Sequence, residues 1–297
     1  EKHLILLKQG KSFFHIGGSG HEAAQTAAAA AMKPGFDYAF PYYRDLAFSL
    51  QYGMTPEEYF LAALHRDEDP STGARQMPGH YGKKELRIVT QSSPTGTQYL
   101  QAVGMAMAAT REKSGEVVYV SSGEGSTSEG EFFEAVNWAA REAAPVIFFI
   151  QDNRFAISVP VTQQTAGGSV YEVTKGFAGL ERVNVDGTDF LATYGAMTKA
   201  VERARSGQGP TLIVANVVRL LPHSSSDDDR KYRTKEDLEH DRTRDPIPAM
   251  TRFLIEQRYL TDSEATAMAE EVKKAVDAAA DWAESRPLPD PASVSLH

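Results

Sequence analysis

Apolar positions along this chain switch period in a repeating order. Val117 to Ser121 is a short run rich in β-branched residues that stops at Gly123-Glu124-Gly125. From Glu131 to Glu142, Phe132, Phe133, Val136 and Ala139/Ala140 recur at helical spacing, and Pro145 to Ile150 is a second apolar run. Two strands joined by one helix form a right-handed βαβ unit. The same alternation predicts strands at Arg87–Thr90, 181–185 and 211–219. It predicts helices at 21–32, 56–65, 98–113 and 190–206, the second with Pro56 at its start and Glu57/Glu58 in its first turn. A long amphipathic helix is expected over 262–285, begun by Asp262-Ser263 and stopped by Pro287. Leu64 to Tyr81 is polar and rich in Gly and Pro, a loop of a length that is usually functional. The expected fold class is α/β, a parallel sheet with helices on both faces and a helical C-terminal tail. The expected division is an α/β unit over 1–248 and a helical extension over 249–297.

Such a topology places the turns after the strands at one carboxyl edge, where open α/β folds bind ligands. Glu124 and Asn153 then lie side by side. A carboxylate and a carboxamide are hard oxygen donors suited to Mg²⁺ or Ca²⁺, and Mg²⁺ usually keeps part of its shell for substrate phosphates. Gly123 and Gly125 would let backbone N–H groups approach those phosphates, with a helix N-terminus adding positive potential. A nicotinamide site would need GxGxxG opening a helix, and Gly123-Glu-Gly-Ser-Thr-Ser lacks the third glycine.

Composition narrows the classes further. The 297 residues suffice for a full α/β core, and a formal net charge of −9 disfavours nucleic acid or an anionic membrane as partner. Absence of cysteine excludes disulfides, thiolate metal sites and a cysteine nucleophile. The Ala-rich stretch Ala23–Ala31 is too short to span a bilayer. No signal peptide is visible, and Glu at position 1 leaves room for an upstream start.

The stretch GEG…DN resembles the motif of thiamine-diphosphate enzymes, which begins GDG or GEG and ends NN. Its flanks, SEGEFFEAVNWAA and PVIFFIQDNRFAIS, look like the alpha subunits of branched-chain 2-oxoacid dehydrogenases more than those of the pyruvate enzyme. The resemblance extends from about Gly10 to Pro248, with two more motifs in order.

Phe40-Pro-Tyr-Tyr-Arg-Asp45, taken alone, fits a surface ion pair or an Arg fork on phosphate. The resemblance assigns Tyr43 and Arg44 to the cofactor diphosphate. Phe13 and Phe14 fit either an acyl-pocket wall, with Tyr43, or ordinary core. Ser92 to Gln98 reads as a helix cap or a ligand loop. The resemblance puts Ser93 and Thr95 on the cofactor and a potassium ion at Ser92, Thr97 and Gln98. In Arg219-Leu-Leu-Pro-His223-Ser224-Ser-Ser-Asp227, otherwise a solvated loop, the resemblance implies that His223 contacts the cofactor and serves lipoyl acylation. It places Arg219 near the diphosphate, makes Asp227, Tyr232 and Arg233 loop-ordering residues, and puts Ser224 where related subunits are phosphorylated.

The implied cofactors are thiamine diphosphate and Mg²⁺, with K⁺ at the second set. Gly123, Glu124, Gly125 and Ser126 would line the diphosphate, and Glu124, Asn153 and the Phe155 carbonyl would ligate the metal. Asp152 replaces the motif's first Asn, and Phe155 stands where Tyr is usual. One chain of this length holds only the diphosphate half of such an enzyme. The implied partners are therefore a beta subunit carrying the activating Glu, in an α₂β₂ assembly, and a lipoyl-bearing acyltransferase. The implied substrate is a branched-chain 2-oxoacid such as 3-methyl-2-oxobutanoate, with pyruvate or acetoin enzymes, or a non-catalytic subunit, as alternatives. The implied compartment is bacterial cytoplasm or, in a eukaryote, the mitochondrial matrix.

Overall fold

A computed structural model of the chain describes residues 1–295. The helices are α1 (Lys2–Lys8), α2 (Glu22–Ala30), α3 (Leu46–Gln51), α4 (Pro56–Ala63), α5 (Gln98–Glu112) and α6 (Gly130–Glu142), then α7 (Val161–Gln164), α8 (Val170–Val173), α9 (Phe190–Arg205), α10 (Lys235–Thr243), α11 (Pro246–Glu256) and α12 (Asp262–Glu284). The strands are β1 (Tyr38–Phe40), β2 (Val118–Gly123), β3 (Val146–Asp152), β4 (Phe155–Ala156), β5 (Val159–Pro160), β6 (Glu181–Asp186) and β7 (Thr211–Asn216).

Five strands form one all-parallel sheet in the order β1-β2-β3-β7-β6, while β4 and β5 make a small antiparallel hairpin. Central β3 is buried along its whole length, and its side chains alternate between two cores. Ile147 and Phe149 pack with Ala24, Ala28, Phe48, Tyr119 and Met197, under α2, α3 and α9. Phe148 and Ile150 pack with Tyr99, Val103, Phe132 and Val136, under α5 and α6. Burial on both faces is why β3 reads as a continuous apolar run rather than an alternating one.

The sequence expectation of a strand at Arg87–Thr90 is not met. Arg87 caps a 3-10 turn (Lys84–Leu86) with φ of 56°, which breaks the extended run, and only Ile88 makes isolated bridges, to Ala39 and Lys83. The segment lies along the outer side of β1, where Ala39 donates to the Arg87 carbonyl and accepts from Val89, and β1 itself is three residues cut off by Pro41 and too short to show a period. The run from Thr211 leaves the sheet after Asn216, so Val217 to Arg219 belong to the following loop. Helix α12 is capped by Thr261 in a capping box with Glu264, one residue before the expected Asp-Ser start. Its C-terminal end buries Ala279, Ala280 and Ala283 against Leu6 of α1 and Phe60 and Leu61 of α4, forming a third small core. No helix among the described residues is long and apolar enough to cross a membrane.

Candidate functional site

Because the five strands run parallel, the loops after β1, β2, β3 and β7 share one edge, and they enclose a cavity of about 390 Å³. Adjacent strands pair Gly123 with Gln151, which sets Glu124 and Asn153 next to each other just beyond the sheet. Glu124 is 1% exposed; its Oε2 accepts the Asn153 N–H at 3.2 Å, while Oε1 has no hydrogen-bond partner among the described residues. Burial, and then the neighbouring Asp152, push its carboxyl up to about 7. A buried oxygen left without a partner is costly. Here it faces a cavity beside a second hard donor, Asn153, whose Oδ1 accepts only the Phe155 N–H at 3.3 Å among the described residues. Phe155 and Pro160 face each other as a non-hydrogen-bonded pair, marked by the Val161 N–H on the Arg154 carbonyl at 2.9 Å, so the Phe155 carbonyl points away from β5. The set fits a hard divalent cation that takes its remaining ligands from a phosphate-bearing molecule and water.

The turn itself differs from the expected phosphate cradle. Gly125 is needed because a Cβ there would stand 2.8 Å from the Ala156 Cβ, so the glycine admits the hairpin. At Gly123, with φ of −79°, a Cβ would meet nothing closer than Tyr42 at 3.8 Å. A 3-10 turn (Glu124–Ser128) follows, and α6 begins only at Gly130, so no long helix opens directly at the glycines. Ser126 also lines the cavity, and its buried Oγ lacks a partner among the described residues.

Arg44 enters from the loop after β1 and is 2% exposed. Its NH1 donates to the Gly17 carbonyl at 2.7 Å, and its NH2 donates to His223 Nδ1 at 2.9 Å and to the His223 carbonyl at 3.1 Å. A guanidinium only donates, so His223 Nδ1 accepts and the neutral ring carries its proton on Nε2. Burial and then the Arg44 charge lower His223 to about 4, which keeps it neutral at pH 7. The Asp227 carboxylate accepts the His223 N–H and the Tyr232 hydroxyl, ordering the loop. Tyr43 lines the cavity with its ring 5.2 Å from the Arg44 guanidinium.

Beneath Arg44 lies a buried polar layer. Gln25 Nε2 donates to the Arg44 carbonyl and to Gln151 Oε1, both at 2.9 Å, and Gln151 Nε2 donates to Asp45 Oδ1 at 2.6 Å. Asp45 is therefore no surface ion-pair partner: it is fully buried and pushed up to about 7 by that burial. Gln25 and Gln151 leave no mark in the sequence, since single polar residues in apolar surroundings carry no pattern.

Among the remaining expected residues, Phe14, Ser92, Ser93, Thr95 and Gln98 line the cavity. Phe13 does not: it is 77% exposed with its ring against His65, because neighbouring residues in extended chain point opposite ways. Thr97 stands behind the wall, pairing its hydroxyl with Ser92 and with the Pro94 carbonyl. Arg219 is buried behind it too, donating to the Ile157 carbonyl at 3.0 Å and the Tyr232 hydroxyl at 2.7 Å. Arg219 and Arg233 flank the Phe155 ring, and Asp241 of α10 accepts from Arg233 and Arg154. The loop after β7 thus braces the hairpin that carries Phe155. The cavity is also lined by Met77, His80 and Gln91, from or just beyond the polar loop flagged in the sequence, where no single position had stood out.

Comparison with known proteins identifies the family. A family model described as "Dehydrogenase E1 component" matches residues 1–292. The chain belongs to that family. It is 42% identical over 293 residues to 2-oxoisovalerate dehydrogenase subunit alpha of Bacillus subtilis, covering 99% of this chain and 88% of that protein. It is 39% identical over 257 residues to 3-methyl-2-oxobutanoate dehydrogenase subunit alpha of Mycobacterium tuberculosis, covering 85% and 65% of the two. With the human mitochondrial 2-oxoisovalerate dehydrogenase subunit alpha it shares 36% identity over 285 residues, covering 96% of this chain and 63% of that one. The chain thus spans just under two thirds of the mycobacterial and human relatives. Within the E1 family, its similarity to proteins named as branched-chain alpha subunits agrees with the flanks of the GEG…DN motif.

Proposed function

We propose that the chain is the alpha subunit of a branched-chain 2-oxoacid dehydrogenase of the decarboxylating, lipoamide acyl-transferring type. One observation carries the reading: Glu124, whose Oε1 has no hydrogen-bond partner among the described residues, stands beside Asn153 in a cavity shared with a His223 whose tautomer is set by Arg44. The names of the relatives support the substrate class, 2-oxoisovalerate or 3-methyl-2-oxobutanoate. The family uses thiamine diphosphate in general, and the residues present fit its metal–diphosphate half. That cofactor supplies the carbanion and electron sink that decarboxylation of a 2-oxoacid needs.

This chain's own groups bind and orient. Glu124, Asn153 and the Phe155 carbonyl would hold Mg²⁺, and Tyr43, Arg44, Ser126 and the Gly123–Gly125 backbone would bind the diphosphate. Arg219 acts from behind, by fixing Ile157 and Tyr232. His223 offers its Nε2–H as a donor into the cavity during acyl transfer. Phe14 and Tyr43 contribute wall to the acyl site, with Ser93 and Thr95 near the cofactor. A K⁺ at Ser92, Thr97 and Gln98 would be met by the Ser92 and Thr97 hydroxyls, which stand together and keep oxygen lone pairs for a cation.

Alpha subunits of this kind work with a beta subunit. The Glu that activates the aminopyrimidine is assigned to that partner, since a chain of this length resembles only the diphosphate half of such an enzyme, in an α₂β₂ assembly that passes its acyl group to a lipoyl-bearing acyltransferase. The proposed division has residues 1–248 as the cofactor-binding unit and the described residues beyond them as a helical extension. The compartment follows the source, cytoplasm in a bacterium or the matrix of a mitochondrion. The test is reconstitution with the beta subunit and measurement of 2-oxoacid-dependent dye reduction, with thiamine diphosphate and Mg²⁺. 3-Methyl-2-oxobutanoate should give a higher kcat/KM than pyruvate; the reverse order would reassign the substrate.

A further inference from the structure

His80 is buried in the cavity wall on the turn Met77–Tyr81, apart from the metal and diphosphate groups. The turn is docked onto the diphosphate-side motif. Gly79, with φ of +97°, approaches so closely that a Cβ would stand 3.0 Å from the Tyr43 carbonyl oxygen, and the Tyr81 hydroxyl donates to that same oxygen at 3.2 Å. Against this anchor, His80 Nδ1 lies 2.7 Å from the Met77 carbonyl oxygen and Nε2 lies 3.0 Å from Ser93 Oγ. A carbonyl only accepts, so Nδ1 carries the hydrogen, and in the neutral imidazole Nε2 is left as an acceptor. The Ser93 hydroxyl must then donate to it. With its only proton spent on His80, Ser93 presents lone pairs alone to the cavity.

We propose that His80 is a positioning residue for the reaction: by taking the Ser93 proton it turns Ser93 into a hydrogen-bond acceptor, which receives an amine or hydroxyl donor of the bound cofactor or substrate. The inference rests on the functional reading above. It also gives the cavity a polarity. Anionic oxygens are drawn to Arg44 and a metal at Glu124, and are repelled at Ser93, where an acceptor would face an acceptor. A ligand bearing a phosphate end and an N–H or O–H end is therefore seated one way round. Arg44 and Ser93 both line the same cavity, so both ends can be read by one molecule.

The experiment uses the reconstituted assembly and a double-mutant cycle on kcat/KM, with His80→Phe, Ser93→Ala and the pair, and with His80→Gln as the conservative variant that keeps an acceptor near the Nε2 position. Loss of a hydrogen bond of this kind should lower kcat/KM by about tenfold in each single variant. The double variant should be no worse than the weaker single, because His80 acts only through Ser93. His80→Gln should recover most of the loss. Thermal denaturation of each assembly identifies any variant that fails to fold, in which case His80→Gln against Ser93→Ala supplies the cycle. Losses that multiply in the double variant, or a His80→Gln as damaged as His80→Phe, overturn the proposal while the wild type stays active. A wild-type assembly inactive on every 2-oxoacid would instead sink the functional reading.

Discussion

Replacing Glu124 by Gln tests the metal assignment and the electrostatics together. The carboxyl is buried and raised from its ordinary 4.5 to about 7, by burial first and by Asp152 second. The sign follows from proton counts. Between those two values the cofactor-free folded state binds more protons than the unfolded chain, so its stability falls as pH rises. At 1.36 kcal/mol per unit, the lost stability is about 3 kcal/mol by pH 8, shared between Glu124 and Asp152. Gln keeps the shape and stays neutral. The Glu124→Gln assembly without cofactor should therefore melt several degrees higher than wild type at pH 8, at about 2–4 °C per kcal/mol, with the gap closing near pH 4.5. Adding thiamine diphosphate and Mg²⁺ should reverse the order, since only the carboxylate gains a charged partner. Scanning calorimetry at three pH values, with and without the pair of cofactors, reads all of this. A Glu124→Gln assembly that melts below wild type at pH 8 without cofactor would refute the electrostatic account. Full activity with an unchanged Mg²⁺ requirement would refute the metal role.

Three other substitutions probe other parts of the site. Arg44→Lys keeps the charge but cannot reach Gly17 and both His223 acceptors as a fork, so the apparent Kd for thiamine diphosphate should rise at least tenfold; an unchanged value removes Arg44 from the binding set. His223→Ala should retain more decarboxylation, read by dye reduction, than lipoyl acylation, and equal losses would deny His223 a specific part in acyl transfer. Gly125→Ala forces the new Cβ within 2.8 Å of the Ala156 Cβ and should cost about 1–3 kcal/mol of stability. Adding Ala156→Gly should restore most of it, and a double variant no better than Gly125→Ala would show that the crowding lies elsewhere.

The sheet core was legible because burial on both faces leaves a plain mark. The apolar runs at Val117–Ser121 and Pro145–Ile150 became β2 and β3, and the 3.6 spacing of Phe132, Val136 and Ala139 became the buried face of α6. The order strand, turn, helix, strand then requires Glu124 and Asn153 to emerge together, since parallel neighbours end at one edge. Short or bridging elements left no such mark. Three-residue β1 could not show a period, and Ile88 makes its bridges from beside a residue with positive φ.

Sequence by itself thus determined which loops meet, because chain direction and strand neighbourhood suffice for that. Tertiary structure alone decided which atoms in those loops are free. That the Arg44 guanidinium is oriented by Gly17 and His223, that Phe14 rather than Phe13 faces the cavity, and that His80 holds Ser93 all depend on distances of about 3 Å between residues far apart in the chain. Hydrogen-bond direction and side-chain facing are set by such contacts, and no local periodicity encodes them.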